Sequence, residues 1–136
     1  MQGSKAVGAA LCAVAVLAVV SAGSALAGEQ QRSCDKSKAD KARCETDSLY
    51  CPEEGAPCEA RATVTAVSST KGVKGFVNLR SLRSGHRADN CVARTKKRCT
   101  ARATVTVKPG DTADAACRAV SVKGDNATLH CKFVLG

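Results

Sequence analysis

Eight of the nine cysteines in this 136-residue chain follow residue 28: Cys34, Cys44, Cys51, Cys58, Cys91, Cys99, Cys117 and Cys131. An even set in a short chain reads as a disulfide framework. A metal site fits less well, because there is no Cys-x-x-Cys pair and only His86 and His130 could assist. Neither a metal nor a cofactor is expected. Eight cysteines allow about 105 pairings, and spacing alone does not choose among them.

The framework is needed because the apolar core must be thin. Residues 28–136 contain ten Val, five Leu, two Phe, no Ile and no Trp. Those 17 residues are about 16% of the segment, a fraction that with high net charge ordinarily leaves a chain disordered. Four bridges at about 2–4 kcal/mol each supply stability that such a core cannot.

The ninth cysteine, Cys12, belongs to an N-terminal stretch with the features of a signal peptide, residues 1–27. Lys5 supplies a positive charge, Ala6 to Val20 form an apolar run, and Ala25-Leu26-Ala27 offers the small-x-small cleavage pattern. The run is shorter than the roughly 20 residues that span a bilayer. Cleavage before Gly28 leaves one domain and no transmembrane segment. The expected location is secreted and extracellular, with the periplasm or cell surface as alternatives.

Within residues 28–57, a cysteine-containing arm comes first. SCDKSKADKARCE, residues 33–45, has helix-forming composition and Ser33 as a cap, so a helix and an irregular arm are equal expectations. CPEEGAPC, residues 51–58, is a loop. The β-rich body, 58–136, opens on CEARATVT (58–65), which returns as CTARATVT at 99–106. Cys99, Ala101, Ala103, Val105 and Val107 alternate with Thr100, Arg102, Thr104, Thr106 and Lys108, the period of a half-buried strand. The earlier copy sets Cys58, Ala60, Ala62, Val64 and Ala66 inward in the same way. Inner alanines imply close packing against a bulky neighbour or a disulfide.

GFVNLRSL, ACRAVSV and LHCKFVL read as further strands, and RSGHRADN, KPGDT and KGDN as turns. Five or six strands point to a mainly β fold, a small disulfide-stabilised sandwich or barrel, with an internal repeat of 58–98 and 99–136. A true repeat makes Cys58–Cys91 and Cys99–Cys131 the equivalent bridges, and leaves Cys34, Cys44, Cys51 and Cys117 to join the arm to the body.

Charge is concentrated. Residues 60–110 contain twelve basic residues and one acidic, net +11. On a continuous strand, Arg94, Lys96, Arg98, Arg102 and Lys108 share one face, a basic stripe suited to an anionic polymer or surface: polysaccharide, lipid or nucleic acid. Tyr50, Phe76 and Phe133 are the only aromatics, which weakens single-stranded nucleic acid as the partner. For catalysis, His86 beside Arg83 and Arg87, His130, Glu53 and Glu54 are the available groups, and no spacing selects among them. Asn126-Ala127-Thr128 is a glycosylation sequon in a eukaryotic host. The leading expectation is a non-enzymatic secreted binding protein with an anionic partner, in defence or virulence. A disulfide-rigidified protease inhibitor, whose partner is a protein, and a small hydrolase such as a ribonuclease are the alternatives.

Overall fold

The computed structural model describes residues 29–69, 72–122 and 126–136. The expected signal segment and its expected cleavage point before Gly28, residues 70 and 71, and residues 123–125 of the KGDN turn lie outside the described residues.

Period-two patterning becomes nine strands among the described residues: β1 Gln30–Ala39, β2 Lys41–Glu45, β3 Leu49–Tyr50, β4 Cys58–Ser68, β5 Val73–Ser81, β6 His86–Ala93, β7 Arg98–Val107, β8 Thr112–Ser121 and β9 Asn126–Leu135. They form two antiparallel sheets. The first has the order β1-β9-β4-β7; the second has β2-β8-β5-β6, with β3 also pairing β8. The fold is a disulfide-stabilised β-sandwich, as the alternation of the body implies.

The two copies of the repeated phrase are β4 and β7, adjacent in the first sheet. Their register sets Ala62 opposite Ala103, and these occupy the same place in each copy. The inner faces are as expected: Ala60, Ala62, Val64 and Ala66 on β4, and Ala101, Ala103, Val105 and Val107 on β7, are buried. Phe133, Leu79, Leu129 and Leu135 supply the largest buried side chains, and alanines fill much of the rest.

The disulfides explain the alanines. The bridges are Cys34–Cys44, Cys51–Cys58, Cys91–Cys99 and Cys117–Cys131. Each joins a cysteine to the next one along the chain; three cross from one sheet to the other, and Cys51–Cys58 ties the segment just after β3 to the start of β4. The repeat-based pairs Cys58–Cys91 and Cys99–Cys131 are therefore incorrect. Cys58 and Cys99 both stand in the first sheet; Cys99 is bound by Cys91 of β6 in the second sheet, and Cys58 by Cys51, which directly follows β3. Two bridges stand side by side, since Cys34 lies opposite Cys131 and Cys44 opposite Cys117. Across the bridges Cα atoms are 5.8–6.3 Å apart, closer than the roughly 10 Å usual between packed sheets. Sheets held so close leave little depth beside the bridges, and alanines fill much of the inner face. At Gly75 the fit is tightest: an added Cβ would stand 2.9 Å from Cys91 Sγ and 3.0 Å from the Ala66 Cβ.

Two segments depart from expectation. Residues 33–45 are neither helix nor irregular arm but β1 and β2, with Asp40 at φ 73° between them. β1 pairs along its length with β9 and β2 with β8, and that tertiary pairing overrides local helix propensity. In the polar stretch 83–90, the turn ends at Gly85, and His86 begins β6, an edge strand paired with β5. CPEEGAPC is the expected loop, exposed from Pro52 to Pro57 and closed by its own disulfide.

Candidate polyanion-binding face

The outer face of the first sheet follows from the register of β7, β4, β9 and β1. One cross-strand row runs Arg102, Thr63, Lys132, Ser33. The row beside it runs Thr104, Arg61, Val134, Gln31. Antiparallel pairing of the two copies thus crosses their Arg and Thr side chains, with Arg61 opposite Thr104 and Arg102 opposite Thr63. Lys132 adds a third cation from β9. The residues of the two rows other than Ser33, together with Glu29, line a shallow depression of about 340 Å³.

The cations differ in their partners. Arg61 reaches Glu29 Oε2 and Glu59 Oε1, each at 3.7 Å. Such exposed pairs are worth about 0–1 kcal/mol. Arg102 and Lys132 form no ion pair with a described residue. The backbone N–H of Arg102 donates to Asp89 Oδ2 at 3.1 Å, which ties β7 to β6 and leaves the guanidinium free of that carboxylate. The next row along contains Thr100, Thr65, His130 and Asp35, with His130 Nδ1 against Asp35 Oδ1.

The sequence-derived stripe is divided by the structure. β7 begins at Arg98, so the continuous strand expected from Arg94 onward does not form. Arg94 and Lys96 lie in the β6–β7 connection, whose Lys96 and Lys97 carbonyls accept from Gly72 and Ser68 N–H groups. Arg98 and Arg102 do share the exposed face of β7, and Lys108 lies just beyond its other end, all three exposed. Arg61, Thr63, Thr104 and Lys132 were missed. The signal for three of them was the repeat itself, once its copies are paired antiparallel; Lys132 needed the register of β9.

The groups considered for catalysis are dispersed. His86 is exposed on β6 in the second sheet, His130 is exposed on the first, and Glu53 and Glu54 are in the 52–57 loop. Among the described residues Asp111 is the buried carboxylate. It accepts from Ser84 Oγ at 2.6 Å, from the Arg83 N–H at 3.0 Å and from the Thr112 N–H at 2.8 Å. Burial pushes this carboxyl up, but those hydrogen bonds and the Arg83 guanidinium outweigh it and hold it below the ordinary carboxylate value. The effect is to pin the β5–β6 turn to the β7–β8 connection. Among the described residues no group of three or more His, Cys, Asp or Glu is placed to hold a metal, and no helix is long and apolar enough to cross a membrane.

This β-sandwich resembles several solved structures. TmCBM61 in complex with β-1,4-galactotriose aligns at 15% identity and TM-score 0.44, over 75% of this chain and 68% of that one. The EclA C-terminal domain, a sugar-binding protein, aligns at 16% identity and TM-score 0.42, over 76% and 78%. A carbohydrate-binding module CBM36 in complex with calcium and xylotriose aligns at 15% identity and TM-score 0.37, over 75% and 78%. No family model matches the chain, and no curated protein matches it significantly.

Proposed function

We propose that residues 28–136 form a secreted, non-enzymatic binding domain of two similar units, which engages an acidic polysaccharide across the outer face of the first sheet. The observation that carries this reading is the row Arg102–Thr63–Lys132 beside Arg61–Thr104. Two cations without carboxylate partners flank a hydroxyl on a strand surface, and a third stands diagonally across from them. Sulfate or carboxylate groups answer the cations, and sugar hydroxyls answer the threonines. Arg98 extends the face at one end, where Arg94 and Lys96 adjoin it, and Lys108 extends it at the other. No aromatic side chain stands on this face to stack a nucleobase, which favours sugar over nucleic acid. Four disulfides suit an oxidising, extracellular setting.

Heparin chromatography tests the reading. Arg102→Gln with Lys132→Gln should elute at clearly lower salt than the parent. Lys41→Gln with Lys74→Gln, on the other sheet, should elute close to it. Equal loss in both variants would reduce the effect to net charge and remove the site.

A further inference from the structure

The outer face of the second sheet contains a different arrangement. One cross-strand row runs Arg43, Arg118, Phe76, Asn90 over β2, β8, β5 and β6. The next runs Glu45, Ala116, Asn78, Ala88. The third contains Asp114, Arg80 and His86. The alanines of the middle row leave a trough of about 320 Å³ beside the taller first row, with Asp89 of β6 also in its lining. In the third row Arg80 is spent inside the fold, with Asp114 Oδ1 at 3.1 Å and Glu45 Oε1 at 3.4 Å.

In the first row the cations have no such partner. Arg43 and Arg118 are directly opposite one another, and neither forms an ion pair with a described residue. Like charges in that position destabilise a sheet. Arg118 is held in place by the Phe76 ring, whose centroid lies 4.3 Å from its Cζ. Asn78, on the floor of the trough, has a buried Oδ1 with no hydrogen-bond donor among the described residues. An amide in that state is unspent polar capacity, and rotation about χ2 turns either its oxygen or its nitrogen toward the trough.

We infer that this trough is a binding site for a single uronic-acid-type sugar unit. The carboxylate bridges Arg43 and Arg118, which removes their mutual repulsion and uses the bidentate geometry of guanidinium. The ring lies over Ala116 and Ala88, with its hydroxyls at the Asn78 and Asn90 amides. The volume is at the small end of ligand sites, as one sugar ring requires. The site is separate from the face of the first sheet and does not depend on it.

The test is a 1H–15N NMR titration of the oxidised protein with galacturonate, galactose and acetate. Galacturonate should give saturable shifts confined to residues near 43, 76–78, 88–90 and 116–118. Galactose and acetate should each bind at least about tenfold more weakly, since each lacks one half of the recognition. Arg43→Gln with Arg118→Gln should keep the dispersed spectrum and lose the galacturonate shifts; Asn78→Ala should weaken them about tenfold. Arg102→Gln with Lys132→Gln should leave them unchanged. Acetate binding as tightly as galacturonate would overturn the sugar assignment, galactose doing so would overturn the carboxylate, and no saturable shift would overturn the site.

Discussion

Reduction should unfold this domain outright. The four bridges close chain segments of 10, 7, 8 and 14 positions that do not overlap in sequence. Loop-closure entropy gives about 2.5–3 kcal/mol for each at 25 °C, and because the loops are disjoint the contributions add to about 11 kcal/mol. A domain of this size has a total stability of about 5–15 kcal/mol. Its inner faces are rich in alanine, so the apolar core has little in reserve. Circular dichroism with and without a phosphine reductant measures the outcome. The oxidised protein should show a cooperative thermal transition, and the reduced protein none at 25 °C or above. Cys117→Ala with Cys131→Ala, which opens the longest loop, should lower the Tm by about 12 °C while leaving the chain folded. A reduced protein that melts cooperatively within a few degrees of the oxidised one would refute the reasoning.

Gly75→Ala should cost about 1–3 kcal/mol by overpacking, because the new methyl meets the Cys91–Cys99 bridge and the Ala66 Cβ, neither of which can rotate away; chemical denaturation reads this directly, and an unchanged midpoint would contradict the account of the pinned sheets. Asp111 has a folded-state pKa below its ordinary value of 3.8, so its stabilisation is complete above that pH and is lost as pH falls through the lower, folded value. Asp111→Asn should therefore lower the Tm at neutral pH and flatten its decline in acid. Equal acid profiles for parent and variant would count against the assigned role.

β4, β5, β7, β8 and β9 were legible because each has one buried face. In β7 the alternation Cys99, Ala101, Ala103, Val105, Val107 is unbroken, and the burial pattern follows it residue by residue. β1 has an exposed pattern at nearly every position, so nothing in its own sequence opposes its helix-forming composition; only the partner β9 makes it a strand. β6 escaped for the same reason, since His86 to Asn90 are all exposed at a sheet edge. The disulfides depend on which sheet each strand joins, and that is a tertiary property; the repeat misled because it paired cysteines by sequence equivalence. Part of the candidate face was legible in Arg98 and Arg102. The row that gives it shape was not, because Thr63 and Lys132 meet Arg102 only through the registers of three strands.

The central claim is that the cations of the first sheet act together on one acidic polymer. The most direct test is the affinity for a labelled heparin oligosaccharide, measured by fluorescence anisotropy across a series of salt concentrations. Each cation–anion contact releases counterions, so log K should fall steeply with log salt for the parent. Arg61→Gln, Arg102→Gln and Lys132→Gln combined should bind weakly and show a distinctly shallower slope, with the thermal transition little changed, since exposed charges add little stability. A triple variant with the parent's affinity and slope would contradict the account and leave this face as ordinary solvated surface.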